Sequence, residues 1–215
     1  MSRLSVVATP IGNLEDITLR ALRTLKEADV VACEDTRQTR KLLAHFDIHT
    51  PVSTLAHVPQ LLAQGKRVAL VSDAGTPGVS DPGAEIVSNA REAGVEIETI
   101  PGPSALTAAL SVAGLRAHAF TFYGFLPLKK GRETLFKDIA GSKQASVFYE
   151  SPHRIVKTLE ALAAKLEAER RIGIFRELTK LYEEHVVGTP GEVLAHVKSH
   201  SDKQRGEFVV IVEGR

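Results

Sequence analysis

A single cysteine, Cys33, rules out any disulfide within the chain and suits a reducing compartment. It lies in the apolar run Val30-Val31-Ala32-Cys33, where no base activates it, and reads as a small buried hydrophobe rather than a nucleophile. Long hydrophobic runs are missing too. No segment approaches the roughly 20 apolar residues of a membrane span, and the start of the chain shows no charged stretch followed by an apolar signal core; the expected location is the cytoplasm. Neither sign of charge dominates. A net charge of +1 gives no global footprint for nucleic acid, so any such contact must come from local basic clusters. No G-x-G-x-x-G follows the first apolar run and no G-x-x-x-x-G-K-[ST] or G-x-S-x-G occurs, which argues against a dinucleotide site, a P-loop and an α/β-hydrolase elbow. Internal repeats and low-complexity tracts are also absent.

What the chain does have is a set of polar loops behind short apolar strands. Val68-Ala-Leu-Val71 runs into Ser72-Asp73-Ala74-Gly75-Thr76-Pro77-Gly78-Val79-Ser80-Asp81-Pro82-Gly83, longer and more polar than a plain strand-to-helix turn. Asp81 is placed to cap the helix that follows, with Pro82 at its first position. Leu4 to Ala8 runs into Thr9-Pro10-Ile11-Gly12-Asn13, and Val95 to Ile100 into Pro101-Gly102-Pro103-Ser104, where Ser104 precedes a helix over Ala105–Ala113 ended by Gly114. In a parallel sheet the three loops share one edge, where ligands bind.

With 43% hydrophobic residues, 215 positions can bury one large core or two modest ones. The first half alternates strands with amphipathic helices, as at Ile17–Ala28, which predicts a mostly parallel sheet. The second half offers strands at 120–123, 145–149, 172–175, 185–187 and 208–212 and helices near 132–139 and 155–166. Phe175 and Val187 are joined without a helix, which predicts a mixed sheet. The expected fold class is therefore α/β in two domains, 1–116 and 117–215, divided near Gly114–His118.

Seven blocks together resemble the tetrapyrrole methylase superfamily: Val7-Ala-Thr-Pro10-Ile-Gly12-Asn-Leu14, Glu34-Asp35-Thr36-Arg37, Ser72-Asp73-Ala-Gly75-Thr76-Pro77, Ser80-Asp81-Pro82-Gly83, Pro101-Gly102-Pro103-Ser104-Ala105, Phe148-Tyr149-Glu150-Ser151-Pro152-His153-Arg154 and Arg176-Glu177-Leu178-Thr179-Lys180. They run in the family's order over nearly the whole length. The resemblance is strongest to the branch acting on ribosomal RNA. It implies S-adenosyl-L-methionine as cofactor, 2′-O-methylation of a cytidine in 16S rRNA of the small ribosomal subunit, and a homodimer. It also implies two α/β domains that hold the cofactor between them. Carried over residue by residue, Pro10, Gly12, Asp73, Ala74, Gly75, Thr76, Val79, Ser104, Ala105, Tyr149, Leu178 and Gly206 would bind it. The chain departs from the family pattern around Ser53–Gln60, where a His-Glu-His-Asn stretch is usual, at Tyr182, where His is frequent, and after Val209–Arg215, where many members continue into a small helical domain.

Methyl transfer from a sulfonium is an in-line displacement, so alignment and exclusion of water do most of the work. A ribose hydroxyl is a poor nucleophile, and a base or a cation beside the developing alkoxide helps. Lys180, Glu177, Asp35, Arg37 and His153 are the candidates, with Glu184 beside them. Asp35 or Thr36 can also simply cap the next helix. Leu126-Pro127-Leu128-Lys129-Lys130-Gly131-Arg132 is a short basic loop that can grip phosphate, with Arg37, Arg40 and Lys41 as further cations. His45/His49 and His196/His200 are spaced four apart, but neither pair has a third ligand and Pro51 interrupts the first, so no metal is expected. Two other readings stay open: a methyltransferase acting on a tetrapyrrole or another small acceptor, and a non-catalytic nucleotide-binding protein.

Overall fold

The computed structural model describes residues 2–199 and 201–215, and they divide into two compact units, 1–104 and 105–215. In the first, β1 (Arg3–Val7), α1 (Leu19–Glu27), β2 (Val30–Cys33), α2 (Thr36–His45), β3 (Val52–Thr54), α3 (Val58–Ala63), β4 (Arg67–Leu70), α4 (Gly83–Glu92) and β5 (Glu96–Ile100) follow one another. The sheet order is β3-β2-β4-β1-β5, and every pairing is parallel.

Alternation along these strands feeds two cores. Val7, Val31, Cys33, Ala69 and Ile100 pack with Ala21, Leu25 and Leu43 on one face. Leu4, Ala32, Val68 and Leu70 pack with Val58, Leu62 and Ala90 on the other. Helices thus cover both faces, as a parallel sheet with no solvated side requires. The Cys33 thiol is fully buried and its pKa is raised by desolvation, in keeping with a packing role.

The second unit continues with α5 (Ala105–Val112), β6 (Phe120–Phe125), α6 (Arg132–Gly141), β7 (Ala145–Glu150), α7 (Ile155–Ala163), β8 (Ile172–Arg176), β9 (Glu184–Gly188), α8 (Pro190–Ser199) and β10 (Phe208–Val212). Its order is β6-β7-β10-β8-β9, parallel between β6 and β7 and antiparallel elsewhere, so the mixed sheet is present. The all-apolar β10 sits at the centre, buried along its whole length.

Several boundaries differ from the sequence reading. The division falls after Ser104 rather than at 114–118, because α5 packs on β10 and buries Ala109 there. The first helix starts at Leu19, since Thr18 Oγ1 accepts from Ala21 N–H at 3.0 Å and leaves Ile17 outside. Pro82 is itself the cap position of α4, while Asp81 Oδ1 accepts from Gly83 N–H at 2.7 Å and Gly78 N–H at 2.8 Å. Strand β3 and helix α8 are additions to the sequence reading, although Thr189-Pro190-Gly191-Glu192 is a capping box that marks the start of α8, with Glu192 N–H donating to Thr189 Oγ1 at 3.3 Å. The strand is three half-exposed residues at a sheet edge, too short for alternation to register.

Candidate active site

Three loops of the first unit meet at the carboxyl ends of β1, β4 and β5. Thr9 N–H donates to Gly75 O at 2.9 Å and Gly75 N–H to Thr9 O at 3.0 Å, which zips the first loop to the second. Thr76 Oγ1 donates to Pro103 O at 3.0 Å and ties in the third. Beneath them, the buried hydroxyls of Thr9 and Ser72 donate to Ser72 O and Gly75 O respectively, both at 3.3 Å. Gly75 holds φ +83°, and a Cβ there would lie 3.3 Å from Ile11 Cγ2. The residue is therefore set by backbone conformation and by a neighbouring loop.

A cavity of about 400 Å³ opens beside these loops, lined by Pro10, Gly12, Gln38, Lys41, Asp73 and Ala74 among others. That is within the usual range for a small-molecule site. The structure thus brings together Pro10, Gly12, Asp73 and Ala74, and uses Gly75 and Thr76 to brace them. Val79 N–H closes the following turn on Thr76 O at 3.4 Å. Ser104 and Ala105 flank the division between the units.

At the end of β2, Asp35 caps α2 through Arg37 N–H at 2.8 Å and forms a two-pronged pair with the Arg37 guanidinium. Those bonds hold the Asp35 carboxyl at a pKa of about 2. So low a value suits a fixed charge, not a proton acceptor at neutral pH. Glu34 behaves oppositely: burial, then the charges of Asp73 and Asp81, raise its carboxyl pKa. The acid pair was legible in the sequence; the opposite directions of its two pKa shifts were not.

In the second unit the ends of β6, β7 and β8 and the start of β10 share one sheet edge, as their pairing directions require. Glu177 and Thr179 both have positive φ, +52° and +66°. This strained turn is fixed by side chains. Lys180 Nζ donates to Glu177 Oε1 at 2.9 Å and to Glu207 Oε2 at 2.8 Å, while Glu207 N–H donates to Glu177 Oε1 at 2.9 Å. A Cβ at Gly206, φ +95°, would come within 2.5 Å of Glu177 Cγ, so the glycine admits the carboxylate. Burial pushes the Lys180 pKa down, but hydrogen bonds to Glu207 and Glu177 outweigh it and the net shift is upward. Burial likewise pushes Glu177 up, and Lys180 with the Glu207 amide turns the balance downward. Lys180 is thus a cation, and a lysine made into a base by its carboxylate neighbours is not what forms here.

Leu178 is buried between the two strained residues, and Leu181 and Tyr182 project from the turn, 88% and 69% exposed. Tyr149, at the end of β7, is packed between Phe122 and Phe125 with ring centroids 5.0 and 5.4 Å away, and burial raises its phenol pKa. His153 is exposed just beyond. Glu184 is claimed by Arg176, His196 and Lys203.

Sequence reading missed two members of this edge. Glu207 is the second carboxylate on Lys180; its only signal was an acidic residue following Gly206. Glu150 is buried, with Arg154 Nε at 2.7 Å and Arg132 Nη2 at 3.2 Å. Arg132 is accordingly turned inward and does not join Lys129 and Lys130 as an outward cation. Of the paired histidines, His49 meets Asp47 and His196 meets Glu184, while His200 lies outside the described residues. Among the described residues no group of three or more His, Cys, Asp or Glu is arranged to hold a metal ion, and no helix is long and apolar enough to cross a membrane.

Two α/β units, one parallel and one mixed, with glycine-rich loops on the sheet edges, form an architecture that known proteins share. The uroporphyrin-III C-methyltransferase of Thermus thermophilus superposes with a TM-score of 0.67 at 21% identity, covering 98% of this chain and 94% of that one. The methyltransferase CobJ gives 0.73 at 22% identity, covering 100% and 95%. In sequence, residues 3–194 match the family described as Tetrapyrrole (Corrin/Porphyrin) Methylases. The chain belongs to that family of S-adenosylmethionine-dependent methyltransferases. It is 48% identical over 221 residues to the Ribosomal RNA small subunit methyltransferase I of Halalkalibacterium halodurans, spanning 98% of this chain and 75% of that protein. The protein of the same name from Thermotoga maritima is 41% identical over 224 residues, spanning all of both chains.

Proposed function

We propose that this chain transfers a methyl group from S-adenosyl-L-methionine to the 2′-hydroxyl of a cytidine in 16S rRNA of the small ribosomal subunit. One observation carries the reading: relatives 41–48% identical over at least 98% of the chain bear the name Ribosomal RNA small subunit methyltransferase I. The cofactor supplies an activated methyl on a sulfonium. The residues present fit such a group, because the cavity of about 400 Å³ is lined by Pro10, Ile11 and Gly12 and by Asp73, whose exposed carboxylate can accept from an amine or a ribose. Ser104 and Ala105 after β5, and Tyr149, Leu178 and Gly206 in the second unit, are assigned to the same cofactor.

In this reading Lys180, held charged by Glu177 and Glu207, supplies positive charge to the acceptor oxygen as its proton leaves. A fixed cation needs no reorganisation at that moment. The proton passes to water, and Asp35 with Arg37, a fixed ion pair at the start of α2, is assigned to the acceptor side. His153 is assigned to the acceptor side, and the active form is a homodimer. The family description favours one rival, a small tetrapyrrole acceptor. Labelled S-adenosylmethionine offered with small subunits, large subunits and a tetrapyrrole acceptor separates the two: label is expected in the small subunit alone, and label in the tetrapyrrole alone would reverse the assignment.

A further inference from the structure

The segment after β6 alternates sharply between outside and inside. Phe125 is 57% exposed and Leu128 76%, while Leu126 between them is 2% exposed in the core of the second unit. Water does not favour an exposed phenyl ring, and its position follows from a register shift. The β6–β7 pairing slips between Phe122 and Phe125 at Gly124, φ +60°, so that Phe125 comes opposite Tyr149. Bulges of this kind re-aim a side chain. Tyr149 meets Phe125 edge-on, at an interplanar angle of 62°, which fixes the ring from one side.

An ordinary basic surface loop leaves its carbonyls to water; this one is clamped from within. Arg154 Nη1 donates to Leu126 O at 2.9 Å and Arg132 Nη1 to Pro127 O at 3.1 Å. Both guanidiniums are held by the buried Glu150, and Arg132 also donates to Thr158 Oγ1 at 2.6 Å. Beyond the clamp, Lys129 and Lys130 are exposed, and neither forms an ion pair among the described residues. The nearest carboxylate along the chain, Glu133, is taken by Lys165 at 2.9 Å. A fixed aromatic ring beside two unpaired cations complements a single-stranded nucleic acid, whose bases stack and whose phosphates need charge. An apolar peptide would leave the lysines unmatched.

We infer that Phe125 is a stacking platform for an unpaired base of the RNA, with Lys129 and Lys130 on the adjoining phosphates and Glu150, Arg132 and Arg154 as the residues that position the loop. This rests on the reading of the chain as an rRNA methyltransferase.

The test uses the full chain, labelled S-adenosylmethionine and small subunits that lack the methyl group. Wild type is measured first, and if it labels no small-subunit RNA, the rRNA reading fails and this inference falls with it. Given wild-type activity, Phe125→Leu keeps an apolar contact to Tyr149 but removes the ring face. It should raise the KM for subunits roughly 5- to 140-fold, the range that base stacking is worth. The rate at saturation should stay within about two-fold and cofactor affinity by calorimetry should not change. Phe125→Trp should restore KM. Lys129→Gln with Lys130→Gln should raise KM and flatten the slope of log affinity against log salt by about 1.4, as expected for two phosphates on a single strand. Thermal melts show which variants are folded, and the lysine pair, which is exposed, decides the matter if Phe125→Leu does not fold. Unchanged KM in the folded variants overturns the inference. So does weaker cofactor binding that accounts for the loss, or a change of oligomeric state with KM unaltered, which would make the patch a contact between copies.

Discussion

Lys180 Nζ sits 2.9 Å from Glu177 Oε1 and 2.8 Å from Glu207 Oε2, and the two carboxylates raise its pKa. Its chemistry is that of a held cation. Lys180→Arg should therefore retain a measurable single-turnover methylation rate, while Lys180→Met should lose most of it, by about 100-fold if one charge-stabilising donor is removed. Cofactor affinity should be unaltered in both. If Lys180→Arg were as inactive as Lys180→Met, the charge assignment would be wrong and a base role would return.

The same pair sets a pH dependence. A lysine with a raised folded pKa contributes stability that is complete below its usual pKa near 10.5 and is lost only as pH rises through the higher folded value. Stability measured by denaturant between pH 7 and 10 should thus show no loss attributable to Lys180. Above that range wild type should weaken more steeply than Lys180→Met.

At the other end of the scale, Asp29 pairs with Arg67 at 2.9 Å, joining the starts of β2 and β4. The hydrogen bonds from Arg67 lower its pKa from 3.8 to about 2. A lowered carboxylate contributes stability above the unfolded pKa and loses it as pH falls through the folded one. Asp29→Asn should flatten the acid limb between about pH 4 and pH 2 and cost no more than about 1 kcal/mol at neutral pH, because both groups face solvent.

Gly75→Val should abolish cofactor binding and also lower the melting temperature. The valine would need φ +83° and would crowd Ile11 within the loop itself. Loss of binding with unchanged stability would mean that only ligand space was filled.

Glu150→Gln removes the buried charge between Arg132 and Arg154. Leaving those guanidiniums without a counter-ion should cost about 3 kcal/mol in chemical denaturation. An exposed control, Glu169→Gln, should shift stability by less than about 0.5 kcal/mol.

The loop edges were legible because glycine, proline and hydroxyl runs behind apolar strands have few other uses, and Pro10, Gly12, Asp73 and Ala74 do line one cavity. The apolar run Leu4–Ala8 was readable as a strand, but which of its residues faces which core was not: Val7 and Leu4 are buried on opposite faces of a sheet covered on both sides. Pairings between distant segments were not. Nothing in the sequence ties Glu207 to Lys180, or turns Arg132 inward to Glu150, because both contacts depend on strand order and register. The acid pair Glu34-Asp35 shows the same limit: two adjacent carboxylates have pKa values moved in opposite directions, Asp35 down by its bonds to Arg37 and Glu34 up by burial and then by the charges of Asp73 and Asp81.

The most direct test of the central claim is to map the methyl group. Small subunits from cells lacking this gene are incubated with the protein and S-adenosylmethionine, and the 16S rRNA is digested and read by mass spectrometry. A single cytidine should gain one methyl on its ribose 2′-oxygen, with no gain when the cofactor is withheld. A methyl on a base, or 16S rRNA left unchanged while a tetrapyrrole acceptor is methylated under the same conditions, would contradict the account.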